Sequence, residues 1–525
     1  MARSYTNCIA RFINTPSNIE PIGIDFLSPF TRMSLTKNSA MTLAEQLCER
    51  FAQRIKSRLL SSGARLPSVR QCAQQQGVSP STVVAAYDQL LAQGLVEARK
   101  NRGFYVRELT HFSASKMPVA SDFIAYKATN NIVNNGLIAS KIPAENSTPL
   151  PHPVNAAMLI RGMFRQAGPK PQPGMGVFPS EWLDTPFLAA AVRKVTAPAA
   201  LKQFSLEYGD PMGDANLRQS LSNKLAQMNI NATPSQIIST VGATHGLDVV
   251  SRTLLTAGDY VMVEEPGWAV EFARLQALGM RILPVPRRED GPDLDTMKRY
   301  CEVYQPKLMV SVSVLHNPTG FMLSPHSAHR MLQLANEHHF YIMEDDSYSH
   351  IAPEHATRLC ALDGLQRTIY VSGFAKILAP NWRVGYIAAP EHLIEQLLDT
   401  KLLATLTTPA LLEKAISHCI DQGQLRRHAT SIRSQLAAAR GRAIKLALAH
   451  GCTFASEPAG LFGWVDTGVD TDQLAQRMLD HGYLLAPGAL FHASRQPSTL
   501  MRINFATTQN AEFWKVFKKE VDSVG

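Results

Sequence analysis

The stretch that decides the fold of this chain is VSGFAKILAPNWRVGYIA, residues 371–388. Lys376 comes directly after a β-rich run, and Pro380 and Arg383 follow it at short offsets. A lysine in such a place can form a Schiff base with a carbonyl cofactor. The stretch therefore predicts a covalent cofactor site, for which other segments must supply the remaining groups.

Three predicted strands end at or just before polar side chains that could supply these groups. KLMVSVSVLHN is predicted to end at Asn317, FYIMED at Asp345, and TIYVSG just before Lys376. From about residue 170 onward, short β-rich runs alternate with helical stretches, which predicts an α/β fold with a mainly parallel sheet. Ligands bind at the carboxyl ends of the strands in such sheets, so the three segments are expected to meet at one site.

These residues suit the chemistry of pyridoxal 5′-phosphate (PLP). The pyridine nitrogen of PLP must hold a proton for the ring to accept electrons, and a carboxylate such as Asp345 raises its basicity. Asn317, in HNPTG, and Tyr348, three residues after Asp345, can hydrogen-bond the phenolate oxygen of the ring. Trp268, in EEPGWAV, is placed to stack on the ring.

A phosphate site is predicted at VGATHGLDVV, residues 241–250. The segment is expected to run from a strand through a turn into a helix, with Ala243 and Thr244 at the start of the helix. Free backbone N–H groups at a helix start bind phosphate. Arg383 adds a planar, permanently charged group for the same anion.

Taken together, these motifs resemble the fold-type I aminotransferases, and the resemblance extends to YGDPMGDANLRQSL (208–221) and LMRINFA (500–506). It implies that Tyr208 reaches the cofactor phosphate of a neighbouring subunit in a homodimer. It also implies that Arg502 binds the α-carboxylate of an amino acid.

The lysine segment departs from the usual S-F-S-K form of that family. The positions three and one before the lysine are Gly373 and Ala375, and only Ser372 remains nearby as a cofactor-binding hydroxyl. Loss of one hydrogen bond to the charged phosphate would cost roughly 1.5–3 kcal/mol, which weakens PLP binding without abolishing it.

A different pattern occupies residues 41–107. Leu43, Leu47, Phe51, Ile55 and Leu59 recur every fourth position, which predicts a first helix that ends at Gly63. A second helix is predicted from a capping box at Ser68 and Gln71 to Gly77, and a third from Ser79 with Pro80 in its first turn. The short connection around Val78 is typical of a helix-turn-helix.

GLVEARKNRGFYVRE is then predicted to form two short strands around the turn 100–103, a wing with basic residues at its tip. The segment resembles the GntR-type winged helix-turn-helix through LPSVR, VSPSTV and RGFYV. The resemblance and the wing together imply DNA contacts at Arg70, Ser79, Ser81, Thr82, Arg99, Lys100 and Arg102. A small helical domain used for protein contacts is the alternative.

Composition agrees with several domains and no membrane span. The chain has 525 residues and a net charge of +9, and no apolar run is long enough for a transmembrane helix. Residues 41–107 hold ten Lys/Arg against four Asp/Glu, residues 1–40 are +2, and the rest is +1. Seven scattered cysteines, never spaced as C-x-x-C, favour neither a disulfide framework nor a zinc site, so no metal is expected. The N-terminus lacks a signal peptide, which predicts a cytoplasmic protein.

The predicted organisation is multidomain. A tail of unknown role (1–40) precedes a winged helix-turn-helix (41–107), a linker (108–153) and an α/β fold-type I, PLP-dependent aminotransferase-like domain (154–525). This combination resembles the MocR subfamily of GntR regulators. The resemblance implies a regulator that binds a double-stranded DNA operator and senses PLP or a small amine or amino-acid effector. A working aminotransferase with an accessory DNA-binding domain is the alternative.

Overall fold

The structure is a computed structural model that describes residues 41–107 and 170–524 apart from positions 58, 100, 101, 171, 205 and 354. The chain divides into two compact units between Pro143 and Ala144. The predicted tail 1–40, the predicted linker 108–153, residues 154–169 and Lys100 lie outside the described residues.

The first unit consists of three helices followed by a hairpin. Its elements are α1 (Leu43–Lys56), α2 (Val69–Gln76), α3 (Pro80–Ala92), β1 (Val96–Arg99) and β2 (Gly103–Val106). The strands are antiparallel, with Val96 opposite Val106 and Arg99 opposite Gly103. The predicted helix-turn-helix and wing are therefore both formed.

The predicted boundaries of α2 and α3 are confirmed. Ser68 and Gln71 form the capping box of α2, and Gly77 ends this helix in the left-handed conformation at φ 67°. Ser79 caps α3, with Pro80 in the first turn. These caps satisfy N–H groups that have no partner within a helix, which fixes where each helix begins.

The prediction for α1 was too long. The helix ends at Lys56, and Ser57 is its C-cap. Beyond the cap the N–H of Leu60 donates to the carbonyl of Arg54, and this turn buries Leu60 and leaves Leu59 71% exposed. Leu59 follows the four-residue spacing by coincidence, because the helix has already ended.

The second unit contains the predicted α/β fold. Eight strands form one sheet in the order β3-β10-β9-β8-β7-β4-β5-β6. They are β3 (Ile237–Thr240), β4 (Tyr260–Glu265), β5 (Arg281–Arg288), β6 (Gly291–Pro292), β7 (Leu308–Ser311), β8 (Tyr341–Asp345), β9 (Thr368–Gly373) and β10 (Gly385–Ala388). The central pairs β5/β4, β4/β7, β7/β8 and β8/β9 are parallel, whereas β10 is antiparallel to both neighbours.

A smaller antiparallel sheet follows, in the order β11-β12-β14-β13. Its strands are β11 (Thr453–Phe454), β12 (Phe462–Asp466), β13 (Ala486–Pro487) and β14 (Leu500–Asn504). Arg502 lies in the middle of β14 and pairs with both Trp464 and Ala486.

The described part of this unit also contains α-helices, most of which bury apolar side chains on one side. They are α4 (Ser180–Leu183), α5 (Pro186–Val195), α6 (Pro198–Phe204), α7 (Ala215–Ala226), α8 (Ala243–Leu254), α9 (Ala269–Ala277), α10 (Leu294–Tyr304), α11 (Pro325–Glu337), α12 (Leu359–Asp363), α13 (Ile394–Thr405), α14 (Ala410–Asp421), α15 (Gln424–Ala449), α16 (Thr471–Asp480) and α17 (Ala511–Val524). Across the described part of the chain, no helix is long and apolar enough to cross a membrane.

The ends of two central strands position the predicted site. β8 ends at Asp345, which pairs with Val371 of the parallel strand β9, and β9 ends at Gly373. Asp345 and the segment that carries Lys376 therefore leave the sheet at the same edge.

The third strand prediction was wrong in its end point, because β7 ends at Ser311 and not at Asn317. The hydroxyl of Ser311 and the N–H of Val312 donate to the carboxylate of Glu264, at 2.8 and 3.2 Å. The Glu264 carboxylate therefore accepts the hydrogen bond that a longer β7 would donate to a neighbouring strand. Asn317 consequently lies in a loop.

Candidate functional site

Lys376 lies three residues beyond β9, and its Nζ donates to the carbonyl oxygen of Gly176 at 2.6 Å. Burial lowers the pKa of this amine to about 8; the charges of Arg502 and Arg383 act in the same direction, and Asp345 opposes them. A lysine with this pKa is neutral far more often near pH 7 than an ordinary lysine. Only the neutral amine attacks a carbonyl, so Lys376 is prepared for that chemistry.

Asp345 has one carboxylate oxygen occupied by protein donors. The N–H and the hydroxyl of Ser347 donate to its Oδ1, at 3.0 and 2.6 Å. Burial raises the pKa of Asp345 to about 6, against the Ser347 hydrogen bonds and with help from the nearby Glu271 carboxylate. A carboxylate in this environment is stabilised by a cationic N–H group, which is what a protonated pyridine nitrogen provides.

Trp268 and Asp345 line the same small cavity, together with His316 and Glu271. Trp268 is the N-cap residue of α9, makes no side-chain capping bond and is half-buried. The predicted stacking residue and the predicted carboxylate therefore face a common space.

The predicted phosphate groups also meet. Gly242 caps α8 without a side-chain hydrogen bond, and Ala243 and Thr244 follow as the first helical residues. The guanidinium of Arg383 donates to the carbonyl of Val241 at 3.2 Å. A Cβ on Gly242 would lie 2.6 Å from Arg383 Nη2, so only glycine lets the arginine reach the helix start.

Arg383 adopts the left-handed conformation, at φ 51° and ψ 47°. This conformation costs a residue other than glycine about 1–2 kcal/mol. The side chain of Arg383 lies at the N-terminus of α8. Backbone strain of this kind is common at functional sites, which agrees with a functional role for Arg383.

Arg502, the residue predicted to bind an effector carboxylate, contacts the loop that carries Asn317. Its Nη1 donates to Asn317 Oδ1 at 2.9 Å, and its Nη2 donates to the carbonyl of Gly174 at 2.5 Å. Its guanidinium lies 4.3 Å from the ring centre of Phe462 and 5.1 Å from that of Phe491. Burial lowers the pKa of Arg502 to about 10, which still leaves it charged near neutral pH.

Tyr348 is buried beside this arginine, and its ring packs edge-on against Phe462 at 5.6 Å. Burial raises the pKa of Tyr348, partly offset by the charge of Arg502. Its phenol therefore stays protonated and can donate a hydrogen bond.

A buried network beneath the Asn317 loop holds it in place. Arg287 pairs with Glu264 at 2.9 Å, and His316 Nε2 lies 3.2 Å from the same carboxylate. His316 Nδ1 lies 2.9 Å from the hydroxyl of Thr319 on the other side of Asn317. Burial alone would raise the pKa of Glu264, but Arg287 and His316 lower it to about 2.

Ser372 does not join this cluster, which corrects its assignment as a cofactor-binding residue. Its hydroxyl donates to the carbonyl of Asp346 at 2.8 Å in the interior. Helix α8 packs on the opposite face of β9, where Gly246 approaches Val371. Neighbouring strand residues point to opposite faces, so Ser372 points away from α8.

Tyr208 is 85% exposed, and nothing in the described residues covers it. Leu206, Leu403 and Leu406 are also exposed. The two stretches are neighbours, because a Cβ on Gly209 would lie 3.7 Å from the carbonyl oxygen of Thr408. The two neighbouring stretches therefore both carry exposed apolar side chains, one of them beside the predicted inter-subunit tyrosine.

Sequence reasoning missed the segment PGMGVFP, residues 173–179. Its carbonyls at Gly174 and Gly176 accept the hydrogen bonds from Arg502 and Lys376. Asn504 fixes the same segment through bonds to Met175 and Val177, at 2.8 and 2.7 Å. Two glycines between prolines were the available signal, but nothing in the sequence shows what lies opposite them.

In the first unit, the hydroxyls predicted to face DNA gather at the start of α3. Ser79 Oγ lies 2.7 Å from Ser81 Oγ and 2.8 Å from Thr82 Oγ1, and it caps the helix by accepting from the N–H of Thr82. Arg70 is exposed on α2, and Val84 is exposed on α3. The N-terminal end of α3 therefore presents small polar groups to solvent.

Of the basic residues predicted at the wing, Arg99 contacts other side chains of the hairpin and Arg102 is exposed. Arg99 pairs with Glu97 at 2.7 Å and lies 4.4 Å from the ring centre of Tyr105, so part of its charge is neutralised. Arg102 is exposed at the hairpin end. Arg65, which the sequence did not single out, lies within 3.5 Å of a Cβ placed on Gly103 and adds a further positive charge to the wing.

The residues of the second unit fit PLP. An amine of lowered pKa, a carboxylate of raised pKa and an uncapped helix start beside an arginine are the partners that its aldehyde, ring nitrogen and phosphate require. Gly373, where the resembling enzymes have serine, also lies at this helix start, because a Cβ on it would be 3.2 Å from the backbone nitrogen of Ala243.

Comparison with known proteins agrees with both units. Residues 177–518 match the family model for aminotransferases of class I and II, and residues 43–106 match the gntR family of bacterial regulatory proteins. The uncharacterized helix-turn-helix transcriptional regulator YdcR of Escherichia coli is 27% identical over 88% of this chain and 94% of its own length. The probable rhizopine catabolism regulatory protein MocR of Rhizobium meliloti is 26% identical over 76% of each chain.

Among solved structures, the α-aminoadipate aminotransferase LysN of Thermus thermophilus superposes with a TM-score of 0.64 at 22% identity, over 70% of this chain and 95% of its own. That likeness shows the fold of the second unit. The chain belongs to the class I and II aminotransferase family, combines that domain with a gntR-family domain, and is similar over both to the regulatory protein MocR.

Proposed function

We propose that the protein is a PLP-dependent, DNA-binding transcriptional regulator. The observation that carries the proposal is the presence, in one chain, of a gntR-family unit and of the cluster of Lys376, Asp345, Arg383 and Arg502. We assign residues 41–107 to DNA binding, 108–153 to a linker and 154–525 to the aminotransferase-like domain. Such a regulator works where the chromosomal DNA is, so we propose a cytoplasmic location.

The residues around Lys376 would hold PLP. Lys376 would bind its aldehyde, Asp345 its ring nitrogen, and Arg383 with the start of α8 its phosphate. When bound, PLP supplies a carbonyl that reacts with amines and a ring that accepts electrons. Trp268, Asn317 and Tyr348 are the proposed contacts to the ring and its phenolate oxygen.

Arg502 gives this site a means to sense a carboxylate. Its Nη2 is bound to the carbonyl of Gly174, and an amino-acid carboxylate would compete for the same donor. Lys376 makes the equivalent bond to Gly176, which attachment to PLP would remove. Both bonds hold the segment 173–179, which follows the proposed linker along the chain.

Ligand binding at the two groups therefore competes with docking of this segment. A ligand changes the balance between a docked and a released segment only if it binds the two states with different affinity, and this competition supplies the difference. We propose that release of the segment is how an amino acid, an amine or PLP alters DNA binding.

We further propose a homodimer that uses the exposed surface around Tyr208. Leu206, Leu403 and Leu406 would be covered by a second copy, and apolar side chains grouped in this way are typical of interfaces. The resemblance to the aminotransferases supports a role for this tyrosine at the cofactor phosphate of the second copy.

An active aminotransferase is the second candidate. It is favoured by the presence of Lys376, Asp345 and Arg502 in one cluster, and by the similarity to the 2-aminoadipate transaminase of Thermus thermophilus, 27% identical over 58% of this chain. The test is whether purified protein converts any amino donor together with 2-oxoglutarate. Sustained turnover would favour the enzyme.

The regulator is tested by sequencing the DNA fragments that the purified full-length protein retains, followed by measurement of operator affinity with PLP and with candidate amino acids. Arg502→Ala should abolish the response to amino acids and preserve the response to PLP. The absence of any retained sequence would contradict the proposal. An unchanged amino-acid response in the variant would show that Arg502 does not bind the effector.

A further inference from the structure

The long helix α15 (Gln424–Ala449) has a charge pattern that neither the PLP site nor the winged helix uses. It carries six basic side chains and no Asp or Glu: Arg426, Arg427, Arg433, Arg440, Arg442 and Lys445. Residues 108–525 together have a net charge of only +1, so this helix is positive within a region that is otherwise negative. The charge is concentrated on one element.

These basic side chains form no ion pair with a carboxylate within the described residues. Arg427 donates to the backbone carbonyl of Gln422 at 3.1 Å, and Arg442 donates to the side-chain amide of Gln509 at 2.9 Å. Some exposed basic residues elsewhere in the same unit do have an acidic partner. Lys518, for example, lies 2.8 Å from Asp522 one helical turn away.

Four of these six basic residues, Arg426, Arg427, Arg442 and Lys445, are exposed, whereas Arg433 and Arg440 are half-buried. Leu425, Ile432 and Leu436 are buried on the other side. Arg427 and Lys445 are exposed and eighteen residues apart, which is five helical turns, so they lie along one line about 27 Å apart. The exposed residues between them are mainly small or carry hydroxyls, including Thr430, Ser431, Ser434, Ala437, Ala438 and Gly441.

The stability of the helix does not explain this pattern. Arg426 and Arg427 lie in its first turn, where the helix dipole disfavours positive charge. No acidic side chain within the helix offsets them. The two arginines therefore destabilise the isolated helix, and an anionic partner would reverse the effect.

We propose that the exposed face of α15 contacts the phosphate backbone of duplex DNA and gives the aminotransferase-like unit its own sequence-independent DNA contact. A span of about 27 Å corresponds to about eight base pairs at 3.4 Å per step. Arginine, lysine, serine and threonine are the side chains that bind phosphates. The inference rests on the proposed function, since it adds a second surface to a DNA-binding regulator.

The test is the salt dependence of DNA binding by the full-length protein. The variant Arg427→Gln/Lys445→Gln removes two of the unpaired charges, and Lys298→Gln/Lys518→Gln is the matched control because these two exposed lysines lie on other helices and have acidic partners. Each lost phosphate contact lowers the slope of log affinity against log salt by about 0.9. The first variant should lose about 1.8 units of slope, or roughly 60-fold in affinity at 0.1 M salt, and the control should match wild type.

The loss should be the same on operator and on unrelated DNA, since backbone contacts carry no sequence information. If the first variant retains the wild-type slope and affinity, the inference is wrong although the proposed function stands. If wild-type protein binds no DNA at all, both are wrong. If DNA binding is unchanged but the variant no longer binds phosphatidylserine vesicles that wild type binds, the partner is an anionic lipid surface and the inference is also wrong.

Discussion

Gly174→Ala should release the segment 173–179 without substituting any charged side chain. A Cβ at this position would lie 2.5 Å from the carbonyl carbon of Leu485, 2.7 Å from its oxygen and 2.8 Å from the nitrogen of Ala486. These are backbone atoms of β13 and of the residue before it, so they cannot rotate away as a side chain can. The segment must therefore move by about 1 Å to reach an ordinary contact distance of about 3.5–4.0 Å.

The magnitude follows from the bonds that this movement breaks. The N–H of Gly174 donates to the carbonyl of Leu484 at 2.7 Å, and its own carbonyl accepts from Arg502. A neutral hydrogen bond contributes about 0.5–1.5 kcal/mol and a charged one about 1.5–3 kcal/mol, so docking of the segment should weaken by about 2–4.5 kcal/mol. That is roughly 30-fold or more in the ratio of docked to released segment.

The assay is operator affinity by fluorescence anisotropy, with and without PLP and candidate amino acids. The variant without ligand should bind DNA as wild type does with ligand, and added ligand should change little. Gly176→Ala is the matched control, because its Cβ meets side-chain atoms, Phe462 Cζ at 3.2 Å and Lys376 Nζ at 3.6 Å, which can yield by a few tenths of an ångström. If Gly174→Ala keeps both the wild-type DNA affinity and the wild-type ligand response, release of the segment is not the coupling step.

Three further predictions concern the cofactor and the DNA. The protein should be yellow with PLP, Lys376→Ala should lose the covalently held form, and borohydride reduction with peptide mapping should locate the adduct on Lys376 and on no other lysine. Because attachment needs the neutral amine and the pKa of Lys376 is about 8, the attachment rate measured by visible absorbance should rise about tenfold per pH unit below pH 8 and then level off. Arg502→Ala removes a charge that lowers this pKa, so the levelling should move to higher pH, and an unchanged profile would contradict the role of that charge. In the first unit, Arg70→Ala should weaken operator binding, and Arg102→Ala should also lower the salt slope by about one unit if it neutralises one phosphate.

The pH profile also changes what is expected of Arg502. Its loss should still leave a response to PLP, because the phosphate-binding groups at the start of α8 are unchanged. In the structure it donates to Asn317 and shifts the pKa of Lys376, so Arg502→Ala should alter the conditions under which PLP attaches as well as the response to amino acids.

The sequence alone determined the elements whose causes are local. The caps of α2 and α3 depend on residues within three positions of each other, namely Ser68 with Gln71 and Ser79 with Thr82, and both were predicted correctly. The end of β8 at Asp345 and the strand before Lys376 follow from short runs of apolar and β-branched residues. The order of the PLP motifs along the chain was enough to indicate the second domain.

Tertiary structure decided everything that depends on contacts distant in sequence. β7 ends at Ser311 because the carboxylate of Glu264, 48 residues before Val312, accepts the hydrogen bond of the Val312 N–H. Ser372 is excluded from the site because α8 covers the other face of β9. Gly174 meets Arg502 across 328 residues of chain, a contact that no periodicity or motif encodes. Hydrogen bonds and steric fit between such segments depend on three-dimensional positions that the whole fold sets, so they can be read only from the folded chain.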